Sequence, residues 1–109
     1  MRQSGGEGQK EKRMQNFSFE QFNPFFEAVA SLTSAKEVRT FFEDVCTIKE
    51  LMDITQRLQV ASLLKEGKNY QEISKTTGAS TATISRVNKC LLYGSGGYNL
   101  VLQKEGGNK

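Results

Sequence analysis

The residues of this chain best equipped for chemistry are hydroxyls and cations between Lys68 and Lys89. Ser80, Thr81, Thr83 and Ser85 surround the small Ala82 and lead into Arg86 and Lys89, while Lys68 and Lys75 precede them. Short hydroxyls hydrogen-bond base edges, threonine and alanine methyls pack on the thymine methyl, and lysine and arginine pair with phosphates. Nothing comparable points to catalysis. The chain has no histidine, so acid–base chemistry at neutral pH would need a strongly tuned carboxylate or lysine. No Ser/His/Asp, Cys/His or paired-carboxylate arrangement stands out. The glycines at 94–97 lack the preceding strand and the phosphate lysine of a nucleotide-cradling loop. Cys46 and Cys90 cannot supply the four ligands of a structural zinc site and are read as small core residues. Neither an enzyme nor a metal is expected.

The hydroxyl and cation run needs a frame, and Tyr70–Leu92 supplies one. It reads as a helix, a tight turn at Gly78 and a second helix, the layout of a helix-turn-helix DNA reader. Ile73, Ala79, Ile84 and Val87 fall where two crossed short helices must bury apolar side chains, and small Ser74 falls where the helices touch. Gly78 stands at the turn, where a positive φ is needed and glycine adopts it at little steric cost. The residues left facing outward are Ser80, Thr81, Ala82, Thr83, Ser85, Arg86 and Lys89. Charge follows the same division. Residues 68–92 carry four cations and one acid, whereas 16–67 carry five cations and eight acids, within a net charge of +3. The basic end would orient the protein on a polyanion.

The remaining elements read as helices. A chain of 109 residues with 37% hydrophobic content fits one small domain, over about 16–105, whose core is completed by dimerisation. Residues 1–15 are polar and glycine-rich and are expected to form a flexible arm. Phe22, Phe25, Phe26, Val29 and Leu32 recur at helical steps over Phe17–Leu32. Pro24 fits only the first turn, so the regular helix should begin at Asn23. Phe17, Phe19, Phe22, Phe25 and Phe26, followed by Phe41 and Phe42, exceed what a lone first helix can bury. They are read as core plus a dimer interface. Three capping boxes follow: Ser34 with Glu37, Thr47 with Glu50, and Asn69 with Glu72. The first opens a helix to about Val45 with Val38, Phe41, Phe42 and Val45 as its buried stripe. The second opens a long central helix to about Glu66, stopped by Gly67. The third opens the helix-turn-helix. A glycine break over 93–97 precedes one last short helix with Tyr98, Leu100, Val101 and Leu102. The fold class is all-α. No apolar run is long enough to span a membrane and no signal peptide is visible, so a cytoplasmic location is expected.

The run Gly78-Ala-Ser-Thr-Ala-Thr-Ile-Ser-Arg86 resembles the G-A-x-x-A-T-I-T-R segment of the Trp-repressor-like family, and Leu63-Leu-Lys-Glu-Gly67 ahead of it fits the family's long helix. From about Phe25 to Leu102, the chain looks closer still to the YerC/YecD branch, including F-F-x-D-x-C-T at Phe41–Thr47. The resemblance implies an intertwined, all-helical homodimer that binds double-stranded DNA and regulates transcription, with repression the expected sign. It also suggests an effector pocket, for which Arg57 and Arg86 are the candidates. Arg86 matches the family arginine that stacks on bound tryptophan. The glycine that follows it in the family is Val87 here, whose branched side chain would fill the indole's space. The second pocket arginine aligns without gaps to Gln56, and only a one-residue shift brings in Arg57. L-Tryptophan is therefore not expected as a corepressor, and Arg86 has two readings, a phosphate contact or a structural salt bridge. Two rival functions stay open: a protein-docking module, and the DNA-binding subunit of a recombinase or transposase complex.

Overall fold

The computed structural model describes residues 18–107; the arm expected over 1–15 lies outside them. The chain divides into two compact units, one ending at Phe41 and the other beginning at Phe42.

In the first unit a short 3-10 turn, Phe19–Phe22, runs directly into helix α1, Asn23–Ala30. Ser18 caps the turn by accepting a hydrogen bond from the Glu20 N–H at 3.2 Å. The regular helix begins at Asn23, with Pro24 in its first turn, where the missing N–H has no helical partner to lose. Helix α2, Ala35–Val45, starts in this unit and crosses the division at Phe41. Its cap differs from the reciprocal box expected. Ser34 Oγ accepts from the Glu37 N–H at 3.1 Å, but the Glu37 carboxylate reaches one residue further back, accepting from Thr33 N–H at 2.8 Å and Thr33 Oγ1 at 3.2 Å. The phenylalanines form a chain of ring contacts, Phe19–Phe22–Phe26–Phe25–Phe41, with centroids 5.9 to 6.4 Å apart. Phe19, Phe22, Phe25 and Phe26 nonetheless remain exposed.

The second unit is built on α3, Ile48–Lys65, with α4, Tyr70–Thr77, α5, Thr81–Tyr93, and α6, Gly97–Gly107, all packed against it. Thr47 and Glu50 make the full reciprocal box, at 3.0 and 2.8 Å, and Asn69 and Glu72 repeat it at 2.9 and 3.1 Å. Helix α3 ends at Lys65 with Glu66 as its cap, within one residue of the end expected, and Gly67 follows with φ +88°. The core contains Val60, Ala61, Ile73, Ala79, Ile84 and Val87, flanked by the half-buried Leu63, Leu64, Tyr70, Leu91, Tyr98 and Leu102. Asn99 ties the layers together. Its Oδ1 accepts from Lys65 Nζ at 2.7 Å and its amide donates to Leu91 O at 3.4 Å.

Val45, expected in the buried stripe of α2, lies at the surface, and so do Ile48, Met52 and Ile54 on α3. Cys90 is exposed and Cys46 half-buried, so neither is a core residue. The physical reason lies in α3. It carries apolar side chains on more than one face, and α4, α5 and α6 cover only part of them. Helix α5 also runs one residue further than expected, through Tyr93, and the last helix begins at Gly97, which confines the break to 94–96.

Candidate nucleic-acid interface

The turn between α4 and α5 is held by a set of short bonds. Gly78 has φ +79° and its N–H donates to Ser74 O at 2.8 Å, closing α4 with the left-handed cap that glycine adopts most readily. Thr77 Oγ1 donates to Ile73 O at 2.8 Å and accepts from the Ala79 N–H at 3.1 Å. Ser74 Oγ donates to Ala79 O at 2.8 Å, so the small residue read at the helix contact has a polar task as well as a steric one. Ile73, Ala79, Ile84 and Val87, the four positions assigned to the interior, are all buried, none more than 2% exposed.

On α5 this burial leaves one outward arc. Thr81, Ser85 and Lys89 follow one another at four-residue steps, with Ala82 and Arg86 beside them, and all five are exposed. Ser80 and Thr83 take a different part. Ser80 is the N-cap: its Oγ accepts from the Thr83 N–H at 3.1 Å and donates to Thr83 Oγ1 at 3.2 Å. Thr83 is half-buried. Both hydroxyls are thus engaged in starting the helix that the other five residues decorate. The start of α5 also concentrates the positive end of the helix dipole, which favours anions.

The two flanking lysines come together away from this arc. Lys68, in the loop before α4, and Lys75, on α4, line one shallow hollow of about 320 Å³ with Leu63, Glu72 and Thr76. The effector-pocket candidates are not brought together in the same way. Arg57 is half-buried and lines a groove of about 550 Å³ with Ile54, Leu58, Cys90, Tyr98 and Val101, and Arg86 is not part of that lining. Arg86 is exposed. Among the described residues it has no ion pair.

One contributor was not singled out from sequence. Gln56, half-buried on α3, donates from Nε2 to Thr77 O at 3.1 Å and so joins the central helix to the turn. No local signal announces a bond across 21 residues; a glutamine among helical apolar positions ordinarily marks a solvated face.

A family model described as Trp repressor protein matches residues 20–106. A relative from Bacillus subtilis (strain 168), named as an uncharacterized protein YerC, is 45% identical over 84 residues, which is 77% of this chain and 81% of the relative. Two solved structures are similar. A TrpR-like protein from Eubacterium eligens ATCC 27750 matches with a TM-score of 0.76 at 47% identity, over 80% of this chain and 90% of its own. A Staphylococcus aureus protein described as a candidate Trp repressor matches with a TM-score of 0.76 at 36% identity, over 84% of this chain and 96% of its own.

Proposed function

The chain belongs to the Trp-repressor-like family, in its YerC branch, and from that membership we propose that it is a sequence-specific, DNA-binding transcriptional regulator, acting in the cytoplasm as a homodimer and repressing the genes it marks. The observation that carries this reading is the exposed arc of Thr81, Ala82, Ser85, Arg86 and Lys89 on a helix whose other face is core. Such an arc enters the major groove with hydrogen-bonding groups, methyls and cations at the depth of base edges. Thr81, Ala82 and Ser85 approach bases directly or through water. Lys68, Lys75, Arg86 and Lys89 neutralise phosphates and set register. Ser80 and Thr83 support the reading from behind by fixing the first turn of α5.

The apolar surface that the chain leaves uncovered supports the pairing of two copies. Ile48 is 78% exposed, Met52 65% and Leu100 58%, whereas six hydrophobic residues are buried among the described residues. Exposed apolar area of this kind in so small a domain belongs to an interface. A symmetric pair would present two α5 helices to successive major grooves, about 34 Å apart. Tryptophan is not part of the proposal, because Val87 is only 1% exposed and Gln56 is committed to the turn.

The test is selection of binding sites from a random duplex pool at about 0.15 M salt, with and without L-tryptophan. The proposal expects a two-fold palindrome enriched equally in both arms. Enrichment only with tryptophan overturns the reading of Val87. Absence of enrichment in both arms, with weak and salt-insensitive binding, overturns DNA reading in favour of docking to another protein.

A further inference from the structure

The bonds that shape the turn and the bond that places it are different. Ser74 to Ala79, Thr77 to Ile73 and Ala79 to Thr77 all lie within the helix-turn-helix. They fix its internal form but not its attitude on α3. Apolar packing of Ile73, Ile84 and Val87 in the cluster with Val60 and Ala61 holds the helix-turn-helix against α3, yet such contact is non-directional and permits small rotations. Gln56 adds a directional contact. Its amide donates to Thr77 O, one of the last carbonyls of α4, which have no partner further along their own helix. The same nitrogen is the nearest atom to the open side of Gly78, 3.9 Å from where a Cβ would stand. A donor from the central helix therefore sits over the turn from which α5 departs.

We propose that Gln56 is the positioning residue of the reading helix, a neutral internal clamp that sets the angle of α5 to the central helix and so the register of its exposed arc on DNA. This rests on the DNA-reading function proposed above. It explains how the arc is aimed without a bound small molecule. An error of aim costs most where several side chains must meet base edges together, and least where a flexible lysine meets a phosphate. The clamp therefore acts on specificity more than on electrostatic affinity.

The test uses two variants of the full chain. Gln56→Met keeps length and removes the donor without adding charge. Gln56→Lys restores a donor, and its added charge strengthens binding to all duplexes alike. The readout is the ratio of affinities for the selected duplex and a scrambled one of equal length. One hydrogen bond's worth of aim corresponds to a loss of about five- to tenfold in that ratio for Gln56→Met, with the salt slope unchanged because no phosphate contact is lost. Gln56→Lys should recover most of the ratio. A Gln56→Met ratio within about twofold of the parent, or a loss that Gln56→Lys does not reverse, overturns the proposal. If the parent protein itself shows no preference between the duplexes, DNA reading fails and the clamp is judged separately in the free protein by amide hydrogen exchange. Exchange at Gly78 and Ala79 at least about fivefold faster in Gln56→Met supports the clamp, and equal exchange refutes it.

Discussion

Replacing Lys75 with alanine separates electrostatic positioning from base reading. Lys75 is exposed on α4 and makes no ion pair with Glu72, one turn earlier, whose carboxylate is turned to the Asn69 N–H at 3.1 Å. The ammonium is thus available to a phosphate. Alanine at an exposed helical site also leaves the fold intact, since it has the better helix propensity and surface substitutions shift stability by only about 0.5 kcal/mol. Each head loses one phosphate contact, and a dimer loses two. At about 0.9 released counterions per contact, the slope of log K against log salt becomes shallower by about 1.8. Raising salt from about 0.05 to 0.2 M then weakens the parent about twelvefold more than the variant. Fluorescence anisotropy on one labelled duplex, titrated at four or five salt concentrations, measures both slopes. Lys49→Ala is the control, because that side chain is 82% exposed but paired with Asp53 and lies outside the proposed interface. A Lys75→Ala slope equal to the parent's would show that Lys75 touches no phosphate. A slope altered as much by Lys49→Ala would show that only net charge matters.

Other substitutions probe the remaining parts. Thr81→Ala should change the preferred base at one or two positions of the site and leave the salt slope alone, which repeating the site selection with the variant would reveal. Gly78→Ala places a Cβ in open space, 3.9 Å from Gln56 Nε2, so its cost is the strain of φ +79°, about 1–2 kcal/mol, read as a fall in Tm of about 4–8 °C for each kcal/mol. Asn69→Ala removes the α4 cap and should cost about 0.5–2 kcal/mol in chemical denaturation. A double variant with Glu72→Ala should lose less than the sum of the single losses, because the two side chains form one reciprocal box.

Local patterns in the sequence carried the helix-turn-helix a long way. Ile73, Ala79, Ile84 and Val87 were assigned to the interior from spacing alone, and all four are buried. Gly78 was assigned a positive φ and has one. The boxes at Thr47 and Asn69 were legible because a cap and its partner are three residues apart. The box at Ser34 was half legible: the serine accepts as expected, while Glu37 chooses Thr33, a choice that depends on how the chain enters α2. Burial on α3 was harder to read. Ile48 and Met52 have the same residue character as Val60, and which apolar stripe faces the helices of the same chain is decided by packing between elements. Ser80 and Thr83 read as base readers from their hydroxyls, and residue type does not reveal that Ser80 Oγ accepts from the Thr83 N–H and donates to Thr83 Oγ1. The role of Gln56 has no local signature, since its bond joins residues 21 apart.

That separation in sequence orders the assembly of the reading head. The bonds that shape the turn close loops of five residues or fewer, whereas Gln56 to Thr77 closes one of 21. Loop-closure entropy makes the longer contact more costly to form by about 1.3 kcal/mol than a five-residue one. Local contacts form first in such topologies, so α4, the turn and α5 acquire their mutual geometry during folding before the glutamine fastens them to the central helix. Of the bonds at the turn, the one that aims the helix is therefore the last to close and, by the same entropy, the first to open on heating.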